Sequence, residues 1–225
     1  MERRRRVCVV GVTAWLALRA PIAAAQEGGD AVAGIRLALE RGASAAMGLL
    51  GRPDGFLGNP KVRIPLPGFL EDAAGLLRFT GQQGRVDELV MAMNRAAEAA
   101  VPRARTILLA AIRSIGLGDA RRIVSGGEDS VTRYFADRTR APLTEEFLPI
   151  VRSETARVDL ATRYNAVAGK IASFGLVSGD TANIERYVTG KALDGLYLVI
   201  GEQEREMRRD PVGTGSALLQ KVFGR

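Results

Sequence analysis

Apolar residues recur at intervals of three and four along almost the whole chain, and a single stretch of five residues, Val62–Leu66, alternates as a half-buried strand would. A polypeptide patterned this way can bury its apolar surface only as packed helices. Asp30 is placed to cap a helix whose apolar positions Ile35, Leu39, Ala43, Met47 and Leu50 are spaced four, four, four and three apart, with Gly51 as its stop. Residues 52–67 then hold four prolines and two glycines, which excludes a helix there. The 3.6-residue period resumes and predicts helices over 68–79, 86–100 and 102–115, the last with Pro102 in its first turn. Short helices are expected over 120–124, with Asp119 as start signal, and over 130–139, with Gly126 and Gly127 as the break between them. Another opens at Pro142, with Pro149 expected to kink or divide it, and further helices are expected over 160–174, 183–209 and 216–223. The fold class is all-α: an irregular multi-helix bundle with one Pro/Gly-rich loop. Within that loop Val62–Leu66 can form at most one very short extended pair, because prolines confine such a strand to an edge. No fixed-period repeat supports a solenoid.

The first 25 residues read as a secretory leader. Arg3, Arg4, Arg5 and Arg6 precede a 12-residue apolar stretch, Val7–Leu18, and Ala23, Ala24 and Ala25 offer a small-residue cleavage site before Gln26. Twelve residues rise only about 18 Å as a helix, against the roughly 20 residues needed to span a bilayer, so no stable transmembrane anchor is expected. Cleavage would leave 225 − 25 = 200 residues, enough for one self-supporting helical domain over 26–225. The leader carries five of the 32 basic residues and one of the 25 acidic ones. The mature chain therefore has 27 against 24, a net charge of +3 rather than the +7 of the whole sequence. Arginines are interspersed with Asp and Glu and form no basic stripe with aromatics, so nucleic acid is not an expected partner. The single cysteine, Cys8, lies inside the leader, and the mature protein is expected to be periplasmic and free of disulfides.

The absence of histidine removes the commonest general base, proton shuttle and zinc ligand. No Ser-His-Asp or Cys-His set can form, and no nucleophile elbow, phosphate-binding loop or calcium loop is present. No cofactor and no metal is expected.

Several short motifs, in order, carry a resemblance. They are Asp54-Gly55-Phe56-Leu57, Asn59-Pro60 and Ile64-Pro65-Leu66-Pro67, then Met93-Asn94-Arg95-Ala96-Ala97-Glu98. Gly126-Gly127 with Thr132 and Tyr134-Phe135, Lys191-Ala192-Leu193-Asp194-Gly195-Leu196, and Val222-Phe223-Gly224 follow. Together the chain from about Ile35 to Gly224 resembles the bacterial envelope family called domain of unknown function 4197. The resemblance implies an exported helical protein with no established activity. Many relatives look like lipoproteins, whereas Cys8 sits too early to be the lipidated residue at a cleavage point.

Asn94, Arg95 and Glu98 form the best polar cluster. Asn94 and Glu98 are four apart on one helix face and Arg95 is three from Glu98, so all three side chains can converge. The favoured reading is a structural or binding network that pins the loop containing Asp54, Phe56, Asn59, Pro60, Pro65 and Pro67 by satisfying its loose backbone groups. Lys191 and Asp194, three apart, are read as an intrahelical ion pair, and Glu204 and Arg208, four apart, likewise. Two functions from different classes remain. One is a non-catalytic binding or scaffold module of the cell envelope, whose partner would be an envelope protein, a lipid or a glycan. The other is a carboxylate-dependent hydrolase or lyase acting on an envelope glycan or muropeptide, with Glu98 as acid and Asp194 or Asp119 as second carboxylate. The position of Glu98 separates them: an open cleft favours the enzyme, and a buried, saturated carboxylate favours the module.

Overall fold

A computed structural model describes residues 20–127, 130–173 and 183–210. The apolar stretch of the leader, the helix expected over 216–223 and the Val222-Phe223-Gly224 motif lie outside them. Eight α-helices occupy the described residues: α1 (Ala20–Leu50), α2 (Gly68–Phe79), α3 (Gln83–Ala100), α4 (Ala104–Arg113), α5 (Leu117–Ser125), α6 (Ser130–Thr155), α7 (Asp159–Ser173) and α8 (Ile184–Arg209). A 3-10 turn, Val101–Arg103, joins α3 to α4 with Pro102 in its opening, where a missing N–H goes unnoticed. No residue among those described is in a strand. The chain is all-α.

Helices α6 and α8 are the core of the bundle. They pack on each other, α3 and α4 lie against α6, and α1 lies against α8. Phe135, Leu143 and Phe147 of α6 meet Leu89 and Met93 of α3 and Leu193 and Leu196 of α8 in one continuous apolar interior, all of them fully buried. Asn183 starts α8 as expected, its side chain accepting the Arg186 N–H at 2.9 Å, and the last turn carries Arg208 and Arg209.

Two expectations need correction. The chain is already helical at Ala20, where the described residues start, so Asp30 lies inside α1 rather than capping it. Residues 130–155 form one helix, where Pro142 and Pro149 were expected to open and divide separate ones. Each proline removes a bond to the carbonyl four residues earlier, at Arg138 and Glu145. Both prolines and both of those residues are exposed, so water can solvate the freed oxygens. On the other side Val131, Phe135, Thr139, Leu143, Phe147, Val151 and Thr155 are buried at every fourth position, and their packing holds the helix together across the prolines. A stripe with that spacing drifts about 40° per step around the helix. Its rotation lets α6 touch α8, α3, α4 and α5.

Candidate functional site

The Pro/Gly-rich segment leaves the end of α1 as a series of turns over 51–62 and then runs extended to α2. Such a segment cannot satisfy its own backbone, and α3 does it instead. Asn94 is fully buried, and its side-chain amide faces Ile64 like one rung of a sheet. Asn94 Oδ1 accepts the Ile64 N–H at 2.8 Å, and Asn94 Nδ2 donates to the Ile64 carbonyl at 3.0 Å and to Val90 O at 2.8 Å. The alternation of Val62, Ile64 and Leu66 inward with Arg63 and Pro65 outward is real. Its hydrogen-bonding partner is a side chain rather than a second strand.

One turn further along α3, Glu98 is 5% exposed. Its Oε1 accepts the amides of Phe56 and Leu57 at 3.0 and 3.1 Å, and its Oε2 accepts Arg95 Nη1 at 2.6 Å. The other arm of Arg95, Nη2, reaches Asp54 Oδ1 at 2.8 Å. Asp54 adopts the left-handed conformation, φ 64°, which Asp tolerates better than most side chains, and the salt bridge fixes that turn. The hydrogen bond to Glu98, before any other cause, raises the Arg95 pKa above its ordinary value.

The rest of the loop is tied in the same manner. Asn59 O accepts the Val62 and Arg63 amides at 3.1 and 2.8 Å, its side chain accepts from Lys61 N at 3.1 Å, and Pro60 sits exposed in that turn. Pro67 O accepts from Leu70 and Glu71 and so starts α2, while Tyr187 of α8 donates its hydroxyl to Pro65 O at 3.1 Å. Phe56 is the plug: fully buried, it lies against Gly195 of α8, where a Cβ would stand 2.8 Å from Phe56 Cε1 and 3.2 Å from Val62 Cβ. Glycine is required at 195 because the loop packs directly on the helix backbone.

Both oxygens of Glu98 are committed to donors, and Asp54 is joined to it through one guanidinium. No acid and base are left facing a substrate there. Asp194 is elsewhere: it is exposed and pairs with Arg140 of α6 at 2.9 Å. Lys191 lies over the Tyr187 ring, 5.8 Å from its centroid. The expected Lys191–Asp194 pair is therefore replaced by two contacts between different partners, because Arg140 on the neighbouring helix offers Asp194 a charged donor. Asp119 caps the start of α5, accepting the Gly116 N–H at 3.2 Å and binding Arg122 and Arg138. That backbone hydrogen bond, ahead of the arginines, holds its carboxyl below the usual range. Among the described residues no group of three acidic, cysteine or histidine side chains is gathered to hold a metal ion.

Residues 26–224 match the model of a family described as protein of unknown function, DUF4197. The chain belongs to the DUF4197 family. No curated relative and no solved structure matches it.

Two further nodes of this DUF4197 fold were missed in the sequence. Glu204 of α8, read there as a simple partner of Arg208, is a buried cap for α6. It binds Arg208 at 3.0 and 2.8 Å and lies 3.3 and 3.4 Å from the Val131 and Thr132 amides at the start of that helix. Arg208 in turn donates to Ile123 O at the end of α5 and to Ser130 Oγ. Asn165 of α7 accepts the Ile184 N–H at 2.8 Å and donates to the Glu185 carboxylate, closing the start of α8. Helix starts near 130 and 183 were readable from local spacing, but the carboxylate and amide that complete the two caps come from other helices.

Burial raises the Glu204 pKa above its ordinary 4.5, against the pull of Arg208 and the two amides. Below about pH 4.5 the carboxyl is protonated in both folded and unfolded chains, and its protonated form contributes fully. As pH rises past that point the unfolded chain ionises first, so this contribution falls until the folded carboxyl has ionised as well. Glu204→Gln has no such proton. The stability difference between the natural protein and Glu204→Gln should shrink from pH 4 upward, by at most about 1.4 kcal/mol per pH unit. Urea midpoints at a series of pH values measure it, and a difference that is flat or grows with pH contradicts the burial argument.

Proposed function

We propose that this DUF4197 protein is exported to the periplasm and acts there as a non-catalytic binding or scaffold module of the cell envelope. The observation that carries this reading is the saturation of Glu98 by Phe56, Leu57 and Arg95, since the best acid in the sequence is used to shape a loop. Export is supported by the arginine-led apolar leader and the Ala-x-Ala site before Gln26, the residue at which the family match begins. The described buried apolar positions of α1 start at Ile35, so cleavage after Ala25 leaves that core stripe whole. Among the described residues no helix is long and apolar enough to cross a membrane, which agrees with a protein that works beside the bilayer.

One preparation tests both parts. Protein recovered from the periplasmic fraction should have the mass of a chain starting at Gln26, and incubation with purified peptidoglycan should release no soluble fragments. A chain that keeps its leader and stays in the cytoplasm removes the export half. Glycan or peptide cleavage that disappears in Glu98→Gln makes the protein a carboxylate-dependent hydrolase or lyase instead.

A further inference from the structure

A groove of about 520 Å³ runs between α6 and α8, within the size range of small-molecule sites. Two ridges line it. On α8, Tyr187, Gly190, Lys191 and Asp194 fall at i, i+3, i+4 and i+7, one face of the helix, and on α6 Arg140 and Leu148 fall eight residues apart along the opposite wall. Arg186, exposed, also lines the groove, and no ion pair among the described residues engages its guanidinium.

The charges do not cancel. Arg140, Arg186 and Lys191 face one carboxylate, Asp194, which leaves two positive charges over the groove and matches a dianion. Arg140 is held in place by Asp194 and by the Tyr197 ring, 5.1 Å from its guanidinium carbon, so its fork is already oriented. Lys191 rests over Tyr187, whose hydroxyl is fixed on Pro65 O, and is therefore tethered to the clamped loop. Beside these cations Leu148 and the Tyr187 ring supply apolar wall.

Gly190 adds to the open space of the groove. Of the three glycines within α8, two have a packing reason: a Cβ at Gly195 would meet Phe56 at 2.8 Å, and one at Gly201 would meet Thr132 Oγ1 at 2.7 Å. At Gly190 a Cβ would meet nothing within 4 Å. A glycine inside a helix destabilises it relative to alanine, and here no neighbouring atom of the protein demands one. Without a side chain at 190 the groove stays open along this part of α8.

We infer that this groove binds a phosphate group carried on an apolar body, whether a lipid headgroup or a soluble phosphate ester. The inference rests on the binding-module reading above and names the ligand chemistry of that module. Calorimetric titration of the purified protein with n-octyl phosphate, inorganic phosphate and the uncharged n-octyl glucoside tests it, together with sedimentation alongside vesicles of phosphatidic acid, a phosphomonoester lipid, in phosphatidylcholine. Octyl phosphate should bind at least tenfold more tightly than either of the other two solutes. Gly190→Leu, which puts a side chain into the groove, and Lys191→Glu, which reverses an exposed charge, should each weaken octyl phosphate at least tenfold. The melting temperature of Gly190→Leu should not fall. Should leucine perturb folding, the surface variant Lys191→Glu still decides the matter. Vesicle binding that Gly190→Leu removes makes the ligand a lipid headgroup, and octyl phosphate binding without it makes the ligand a soluble ester; both support the site. Equal affinity in the natural protein and both variants, inorganic phosphate or octyl glucoside binding as tightly as octyl phosphate, or no binding at all overturns it. Such a failure leaves the Glu98 argument standing, because that is read from the peptidoglycan incubation.

Discussion

Asn94→Asp, a change of one atom type with almost no change of shape, is expected to lower stability by about 4–6 kcal/mol. Asn94 Nδ2 donates to the Ile64 and Val90 carbonyls in a fully buried setting, and a carboxylate oxygen in that place would face two carbonyl oxygens with nothing to give. The buried Ile64 carbonyl left without a donor costs roughly 1–3 kcal/mol, Val90 O keeps its helical Asn94 N–H but meets the new oxygen, and the new charge adds its desolvation. A domain stable by about 5–15 kcal/mol would be left marginally folded or worse. The loss should depend on pH in a definite direction. Burial raises the folded pKa of the introduced carboxyl above its unfolded value of about 3.9, so the variant is least impaired below that pH and loses stability as pH rises through the raised value. Urea titrations at pH 3.5 and 7 measure this, and hydrogen exchange at the Ile64 amide reports whether the loop has left α3. A variant as stable as the natural protein at pH 7 would mean that the loop does not depend on α3 for its backbone hydrogen bonds.

Glu98→Gln should cost about 2–3 kcal/mol, a fall of roughly 4–12 °C in melting temperature for a domain of this size. The carbonyl of the new side chain can still accept the Phe56 and Leu57 amides, but its NH2 group is turned toward Arg95 Nη1, donor against donor. Arg95 then keeps only Asp54, an exposed partner worth little by itself. The double variant Glu98→Gln with Arg95→Ala should lose less than the two single losses added together, because the donor conflict is gone. An unchanged melting temperature in Glu98→Gln would remove the structural role of the carboxylate and return it to the list of candidate acids.

The helices themselves were legible because helix formation is local. Positions 68–79 and 183–209 could be bounded from apolar spacing, and the structure places α2 and α8 there. The Asn94, Arg95 and Glu98 set was legible for the same reason, since i, i+1 and i+4 on a helix fixes which side chains share a face. Proline chemistry misled at 142 and 149, where burial of the opposite face outweighs two missing hydrogen bonds. Lys191 and Asp194 misled because the local partner competes with a stronger one across the groove. Glu204 gave no signal of its capping role, since the amides it faces lie 72 and 73 residues away.

Composition and periodicity by themselves determined that this chain folds as helices broken by one proline-rich loop and that it has no histidine for general-base or zinc chemistry. Those are properties of residue types and of neighbours within one or two turns. Only the tertiary structure decided what the polar residues do: Glu98 and Asn94 bind loop amides 30 to 42 residues earlier, Glu204 seals a helix on another element, and Arg140, Arg186 and Lys191 line one groove. These outcomes turn on which helix lies beside which. Packing of apolar stripes sets that arrangement over the whole molecule, and no short window of sequence contains it.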